Sequence, residues 1–445
     1  MFILNKRLFI DNILILFFLA FIVRLIFIFF QNPSPDKLIE DELLYWNASI
    51  NYLNDGSLED SISAERMLGV FIYIKMLLLL SFQNLKIYFV FQSIIDALTC
   101  LIIYKTGSLI LPKQKIYIYL SALFSPLMII LSSQVLSETI FLFFFSIFLY
   151  FSTTILLEKK FLYLKTLMAG LFLGLSTSIR SITYPLLLLS IFPLIIIFLK
   201  LGVNKFKILI SCLIFLFFAL LPISSRLYQN IYLYNSYAIT SQGGTHLAYW
   251  VAPSILTHTN NISRTEAIKL VDQVAKKYHI PNDYFEKDKV LRKVGLEVLS
   301  QVNKYHIAIH WVKASIINLL APSILLDKTL RALPHPSYYE TGNILLWMKI
   351  IFSNSEYYSY LLLISIASIT SIFTLISLLV GSLYMYQNNK TIFYLIMLYM
   401  AYFLVITGPV LSPKYIFPIL PCIFLYQGIT FYKVIYFIKG KLKVI

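Results

Sequence analysis

Two adjacent stretches decide the fold: the apolar run NILILFFLAFIVRLIFIFF at residues 12–30 and the acidic segment EDELLY at residues 40–45. A helix needs about 20 consecutive apolar residues to cross a bilayer, and the first stretch has nearly that length. Carboxylates close to membrane depth are energetically costly, so they usually mark a site. Together the two stretches predict an integral membrane protein with a site at one membrane face.

The composition of the whole chain supports this interpretation. Hydrophobic residues make up 59% of the 445 residues and charged residues 13%, whereas a soluble domain carries about 25% charged residues. The formal net charge of +16 does not indicate nucleic-acid binding, because most lysines lie in short loops between apolar runs. We find no nucleotide-binding or metalloprotease motif, so we expect no cofactor, no metal ion and no reaction driven directly by a nucleoside triphosphate.

The apolar runs predict ten membrane-spanning helices. We place them at residues 12–30, 86–104, 116–133, 135–156, 162–178, 181–199, 206–223, 358–384, 391–411 and 415–437. If the N-terminus with Lys6 and Arg7 is cytoplasmic, the lysine-rich loops and the C-terminal tail fall on the same side, as the positive-inside rule requires. Both termini are then cytoplasmic, and the two long segments at 31–85 and 224–357 face outward.

This topology depends on the apolar run at residues 68–82. We predict that it lies in or dips into the outer interface, because it has only 15 residues and includes Lys75. Counting it as a span would invert every later loop. The chain then divides into an N-terminal transmembrane catalytic module at 1–223 with the outer loop 31–85, an outer helical segment at 224–357, and C-terminal transmembrane helices at 358–445.

Single charged or thiol residues inside the predicted spans have structural explanations. Arg24 interrupts the first apolar run and no small-residue cleavage site follows, so we expect a retained span rather than a signal peptide. Asp96 falls inside the second span and must face the protein interior, where we expect it to bond a neighbouring helix. All three cysteines (Cys100, Cys212 and Cys422) lie in spans, which argues against disulfides and a thiolate metal site.

The acidic segment is predicted to form one amphipathic helix that ends near Gly56. Asp41 and Tyr45 are i,i+4 neighbours on one face of it. Asp41 and Glu42 point about 100° apart, because a helical turn takes 3.6 residues. We therefore expect different tasks for these two acids: one faces a substrate, and the other can bind a cation.

The second outer segment contains a glycine turn, Gly243-Gly244, followed by His246. Glycines allow a backbone to approach a ligand closely, so we take Gly243 and Gly244 as candidate substrate contacts. His246 is either a further ligand contact or an ordinary loop histidine. The His306 and His310 pair has a spacing that can bind zinc, but no carboxylate stands beside it, which disfavours a metal site.

Several short motifs along the chain together resemble a known family. They are the acidic pair after the first span, Ser137-Glu138, Arg180 with Pro185, Arg226…Asn230…Tyr234 followed by Gly243-Gly244, and Lys414-Tyr415…Pro418…Pro421. In their order and common sidedness they look like the polytopic GT-C glycosyltransferases, specifically the protein O-mannosyltransferase and lipid A aminoarabinose transferase group. The resemblance covers nearly the whole chain.

The resemblance implies an all-α GT-C bundle that catalyses an inverting sugar transfer. The donor would be a polyprenyl-phosphate-linked monosaccharide, and the acceptor a glycolipid, a polysaccharide precursor or a protein at the outer membrane face. The richness in Lys, Ile and Phe suggests an AT-rich bacterial genome and hence the inner membrane. Two departures matter: Lys414 stands where the family usually has Arg, and residues 224–357 leave no room for the β-trefoil insert of eukaryotic protein mannosyltransferases.

The family's general base maps onto Asp41, with Glu42 as its orienter or cation anchor and Glu40 as a bystander. The competing interpretation of these acids is a solvated helix start favoured by the helix dipole. The predicted cations at the donor phosphate are Arg180, Arg66, Arg226 and Lys414, and their alternative role is interfacial snorkelling. Tyr45 and Glu138 are further candidate substrate contacts, and Glu138 can instead pair with one of the outward arginines.

Two other functions fit a polytopic membrane protein. A lipid-linked-glycan flippase or other transporter would show paired repeats and broken helices in two halves, which we do not find. An O-antigen polymerase or ligase also has a large outer loop, but the acidic pair after the first span would then be incidental.

Overall fold

The computed structural model describes residues 12–158, 160–337, 341 and 343–442, with the backbone alone for 439–442. The positions of Lys6 and Arg7 in our topology argument therefore lie outside the described residues. In the N-terminal half the α-helices are α1 (Ile13–Gln31), α2 (Glu40–Asp55), α3 (Asp60–Glu65), α4 (Leu68–Leu80), α5 (Leu85–Ile110), α6 (Lys115–Leu123), α7 (Pro126–Ser132), α8 (Glu138–Leu157), α9 (Leu162–Ile179), α10 (Tyr184–Leu189), α11 (Ile191–Lys200) and α12 (Lys205–Leu220).

The C-terminal half is also helical. Its helices are α13 (Ser224–Tyr234), α14 (Gly243–His246), α15 (Ala252–Asn260), α16 (Arg264–Ala275), α17 (Tyr284–Ser300), α18 (Lys304–Leu320), α19 (Lys328–Arg331), α20 (Ile344–Ser353), α21 (Tyr358–Asn388), α22 (Lys390–Thr407) and α23 (Leu420–Leu442). No strand occurs in the described ranges. The predicted all-α polytopic architecture is confirmed.

The candidate membrane-spanning helices of the structure lie at the predicted positions. Across the described residues, nine helices are long and apolar enough to cross a membrane, and the bent pair α6–α7 makes a tenth if it counts as one span. The pair bends by 47° between Leu123 and Pro126. Pro126 has no backbone N–H to continue the helix, and the Ser125 hydroxyl accepts the N–H of Met128 to start the next one.

The bend explains the charged pair buried within the bundle. A broken helix frees carbonyl groups that no water can reach inside a bilayer, so protein donors must satisfy them. Arg24 donates to the carbonyls of Ala122 at 3.0 Å and Leu123 at 2.6 Å. Its Nε also lies 2.7 Å from the carboxylate of Asp96, and neither side chain is exposed. Asp96 therefore bonds a neighbouring helix, as expected.

Close contact between α9 and α12 depends on two glycines one helical turn apart. A Cβ at Gly170 would lie 2.4 Å from the carbonyl oxygen of Phe215, and one at Gly174 would lie 2.3 Å from that of Ala219. Small residues of this kind let two backbones approach within a membrane, where packing rather than the hydrophobic effect drives association.

Helix α4 begins and ends at the same end of the bundle. We call this the loop end; it is where α9 ends and α8 begins. Gly69 packs against the backbone of Ser178 near the end of α9, and Lys75 donates to the carbonyl of Tyr52 in α2 at 3.1 Å. After the next turn, Gln92 of α5 donates to the carbonyls of Ser132 and Gln134 just before α8. That residues 68–82 do not cross the membrane stays a prediction.

The described residues between 224 and 357 form a small helical module at the loop end, which we call the outer module after its predicted position. Helices α15, α16 and α17 share an apolar core of their own, formed by residues including Ala252, Val271, Leu291 and Val294. The module also holds the chain just before the last span, because Asn318 of α18 donates to the carbonyl of Val410 at 2.7 Å. Residues entering the last span are thereby fixed against the module.

Candidate functional site

The three acids at the start of α2 each have a different partner. Glu42 is buried and its carboxylate lies 2.7 Å from Lys328. Burial raises the pKa of Glu42, and the positive charge of Lys328 opposes that rise. Glu40 is exposed and pairs with Arg331 at 2.8 Å, and this hydrogen bond lowers the pKa of Glu40. Glu42 is therefore a buried anchor for the helix, whereas Glu40 makes a surface pair.

Asp41 differs from both neighbours because it remains partly open and faces two cations. Its side chain is 40% exposed, with Arg66 at 3.3 Å and Lys414 at 3.8 Å. Arg66 follows the short helix α3, and Lys414 lies in the turn Pro413–Ile419 that leads into α23. Three distant parts of the chain thus meet at one accessible carboxylate.

A second ion pair stands next to this group. Glu138, the first residue of α8, pairs with Arg180 at the end of α9. Ser137 also donates to the Glu138 carboxylate at 3.2 Å. For Glu138 the sequence left open a substrate contact or a pair with an arginine, and the structure shows the pair with an arginine. Arg180 keeps 22% of its side chain exposed, so the pair is reachable from one side.

Two tyrosines join the pairs into one cluster. Tyr45 of α2 is buried, and burial raises the pKa of its hydroxyl. Its hydroxyl is within electrostatic range of both ion pairs, and the Arg66 guanidinium lies 5.8 Å from its ring centre. Tyr415 is within range of Asp41, Glu138 and Arg180 as well. We call this set the loop-end cluster: Asp41, Tyr45, Arg66, Glu138, Arg180, Lys414 and Tyr415.

The charges of the loop-end cluster do not balance. Arg66, Arg180 and Lys414 bring three positive charges, whereas Asp41 and Glu138 bring two negative ones. An added anion would gain from this excess, because cations in a partly desolvated site are screened little by salt. The cluster therefore suits a ligand with a negative group next to a group that can donate a proton to Asp41.

Arg226 requires a correction. The sequence predicted it at the donor phosphate, but its side chain is buried and its N–H groups are used within the protein. They donate to the hydroxyl and carbonyl of Ser63 and to the carbonyl of Ile239. Arg226 therefore ties α13 to α3, and a guanidinium saturated in this way is a poor phosphate ligand.

The glycine turn requires a second correction. A Cβ at Gly244 would lie 1.9 Å from the carbonyl oxygen of Asp288, and the Gly244 N–H donates to the Asp288 carboxylate. Gly243 similarly faces Arg292 of the same helix. The glycines are explained by the close approach of α14 to α17, rather than by a backbone open to a ligand. His246 lies on the same short helix, and burial lowers its pKa.

The structure adds Lys328 and Arg264, which the sequence analysis missed. Lys328 anchors Glu42, although the two lie far apart in the chain. Arg264, the first residue of α16, lies 4.8 Å over the ring centre of Trp250 and acts electrostatically on Tyr415. The capping box at Ser263 and Glu266 predicted the start of α16, but nothing in the sequence indicated which way Arg264 points.

Apart from the loop-end cluster, the structure has a cavity between spans but no grouped metal ligands among its described residues. A mostly apolar cavity of about 100 Å³ lies between spans, lined by residues including Thr106, Ser146, Ser190 and Tyr399. Its lining includes no residue of the loop-end cluster. Within the part of the chain that the structure describes, no three or more His, Cys, Asp or Glu residues are grouped so as to hold a metal ion.

Comparison with known proteins assigns no family to this chain. No family model matches it, and no curated protein matches it. Among solved structures it is similar to the crystal structure of ArnT from Cupriavidus metallidurans in the apo state. The identity is 10%, the match covers 88% of this chain and 73% of that chain, and the TM-score is 0.33. At this TM-score the likeness carries no weight for fold or function.

Proposed function

We propose that this chain is an inverting membrane glycosyltransferase of the GT-C type. It would move a monosaccharide from a polyprenyl-phosphate carrier to a glycolipid, polysaccharide or protein acceptor at the outer face of a bacterial inner membrane. One observation carries the proposal: Asp41 stands partly open between Arg66 and Lys414, beside the Glu138–Arg180 pair, at one end of a helix bundle.

Asp41 acts as the general base. The acceptor hydroxyl or amine attacks the anomeric carbon of the donor sugar, and its proton passes to the Asp41 carboxylate. The bond between that carbon and the phosphate oxygen breaks on the opposite face, so the configuration inverts. Base catalysis of this kind contributes about 10²–10⁴-fold to a rate. Asp41 fits because its side chain is accessible and its helix is held by neighbouring contacts.

The cations of the loop-end cluster receive the leaving group. The electron pair of the broken bond stays with the polyprenyl phosphate, which gains negative charge as the sugar departs. Preorganised cations at that position stabilise the transition state. Arg66 and Lys414 already face the reacting carboxylate, and Arg180 keeps part of its guanidinium open. Lys414 acts as a point charge, where an arginine would offer a planar pair of donors.

Glu42 and Tyr45 position the base. The buried contact between Glu42 and Lys328 holds the first turn of α2 against the outer module. Tyr45 packs one turn later, 5.5 Å from the ring of Phe71 in α4. Together these contacts fix the direction of the Asp41 side chain, which makes Glu42 a positioning residue rather than a proton acceptor.

The distribution of charge favours an enzyme over a transporter. The exposed charges of the site gather at the loop end, whereas the buried pair at mid-bundle is occupied by the broken helix α6–α7. A substrate pathway would need polar groups that remain available along the bundle. The lysine-rich loops at the opposite end are the basis for proposing that the loop end faces outward.

The test compares Asp41→Asn with Glu40→Gln in purified full-length protein reconstituted into vesicles with radiolabelled polyprenyl-phosphate sugars from bacterial membranes. We expect Asp41→Asn to lower transfer by about 10²–10⁴-fold. Glu40→Gln is the matched control, since it neutralises an adjacent exposed acid on the same turn, and it should change transfer less than threefold.

Equal transfer by Asp41→Asn and the wild type would remove Asp41 as base. A wild type that moves intact lipid-linked glycan between leaflets without transferring sugar would replace the glycosyltransferase proposal with a flippase.

A further inference from the structure

The outer module presents one exposed tryptophan ring next to a residue that packs with Tyr415 of the loop-end cluster. Trp250 lies in the π-helical turn Leu247–Val251 and is 47% exposed. Such turns are rare and occur frequently at functional sites. The neighbouring Tyr249 packs against the module core and donates its hydroxyl to Asp272 at 3.2 Å. The turn therefore buries one aromatic ring and presents the next one at the surface.

Arg264 lies against the tryptophan ring. Its guanidinium carbon is 4.8 Å from the Trp250 ring centre, which is within the range of a cation–π contact. The capping box between Ser263 and Glu266 fixes the start of α16, so the backbone of Arg264 is held in place. The pair thus combines an aromatic face with a positive charge in one rigid arrangement.

The Trp250–Arg264 pair is continuous with the loop-end cluster through Tyr415. Tyr415 packs against the apolar cluster that contains Val251, the residue after Trp250. The Arg264 charge also acts on the Tyr415 hydroxyl, which is within electrostatic range of Asp41, Glu138 and Arg180. The cluster belongs to the membrane-facing helices, whereas the pair belongs to the module above them. A ligand that touches both would bridge the two parts of the protein.

We propose that Trp250 and Arg264 form the acceptor-sugar subsite, an inference that rests on the proposed glycosyltransferase function. A sugar ring presents a C–H face that packs on an aromatic ring. Its hydroxyl groups, or an acidic substituent, can accept hydrogen bonds from a guanidinium, which are strong when charged. The donor phosphate belongs among the cations on the membrane side, so the module side is left to the acceptor.

The test measures glycan binding directly. Detergent-solubilised full-length protein is applied to an array of immobilised bacterial envelope glycans, including lipopolysaccharide cores, wall polysaccharides and O-glycopeptides. We expect Trp250→Ala to lower the apparent affinity for the bound glycan class by about tenfold, and Trp250→Phe to retain most of it. Arg264→Ala should lower it similarly. Tyr232→Ala is the control, because Tyr232 is an aromatic residue of the same module that is 77% exposed.

The outcomes separate this inference from the proposed function. Asp41→Asn should bind glycans like the wild type while losing transfer, which supports both proposals. If no array glycan binds the wild type, or if Trp250→Ala binds as the wild type does, the subsite is overturned. If less Trp250→Ala than wild type is incorporated into vesicles while its glycan affinity is unchanged, Trp250 is an anchor at the membrane interface and the subsite is overturned. If the wild type binds a glycan and Trp250→Ala weakens that binding, but the wild type transfers no sugar, the sugar subsite stands and the glycosyltransferase proposal fails.

Discussion

Two of the carboxylate–guanidinium pairs among the described residues share their chemistry but differ in what surrounds them. Arg24 and Asp96 meet inside the bundle, where neither is exposed and Arg24 also serves two helix carbonyls. Asp41 and Arg66 meet at the loop end, where both remain partly exposed and Lys414 adds a further charge. The first group is saturated by the protein, and the second has capacity left for a ligand. A charged side chain therefore indicates a binding site only when it is accessible and its charge is not already satisfied by protein groups.

The largest expected effect on stability comes from breaking the buried pair. Arg24→Ala leaves Asp96 without its partner and two carbonyls of the broken helix unsatisfied. Removing one member of a buried ion pair typically costs about 3–5 kcal/mol in the free energy of unfolding. The loss in the free energy of unfolding is measured by denaturing the purified variant and the wild type in mixed detergent micelles. Asp41→Ala is the control and should change stability by less than about 1 kcal/mol. If Arg24→Ala and Asp41→Ala lowered the free energy of unfolding equally, the buried pair and the loop-end pair would not differ in their contribution to stability.

The second prediction concerns the cation that the sequence placed at the last span. Lys414→Ala removes one positive charge next to Asp41, and a charged hydrogen bond is worth about 1.5–3 kcal/mol. We expect transfer to fall by about 10–100-fold. Lys414→Arg keeps the charge and should stay within a few-fold of the wild type in the same assay. A loss in Lys414→Arg as large as that in Lys414→Ala would show that packing, rather than charge, is the role of this residue.

A third prediction tests the packing that holds the loop end together. Gly174→Val places methyl groups where a Cβ already lies 2.3 Å from the carbonyl of Ala219. Overpacking of this kind costs about 1–3 kcal/mol, so we expect reduced thermal stability and reduced transfer together. Leu164→Val on the exposed face of the same helix is the control and should change neither. Unchanged stability of the glycine variant would mean that α9 and α12 can separate freely.

The smallest effect is expected at Glu40, the exposed member of the acidic turn. Arg331 lowers the pKa of Glu40, so the pair contributes stability above the ordinary carboxyl pKa and loses it as the pH falls through the lowered value. Exposed pairs contribute about 0–1 kcal/mol. Glu40→Gln should therefore unfold within 1 kcal/mol of the wild type at pH 7, with the difference vanishing in acid. A difference that grows as the pH falls would reverse the assigned sign.

The sequence allowed the candidate site to be predicted in part, and its errors have a common cause. Asp41, Arg66, Glu138, Arg180 and Lys414 were all candidates from their charge and their predicted outward positions, and the structure brings these five together. Arg226 was a candidate on the same grounds, and the Gly243-Gly244 turn was one because a glycine backbone can approach a ligand closely. Their neighbours are protein groups of α3 and α17. The identity of a residue and its predicted position do not reveal whether its hydrogen-bonding groups are already used by another helix.

The sequence by itself determined that this is an all-α polytopic membrane protein, where its candidate spans lie, and that an acidic turn follows the first of them. These follow from local quantities, namely the length of apolar runs, the placement of lysines and the helical repeat. The tertiary structure alone decided which carboxylate stays open, which arginine is saturated and which residues of the outer module approach the cluster. Those facts depend on contacts between residues hundreds of positions apart, such as Glu42 with Lys328 and Asp41 with Lys414. The burial that sets their energies exists only once the helices have packed.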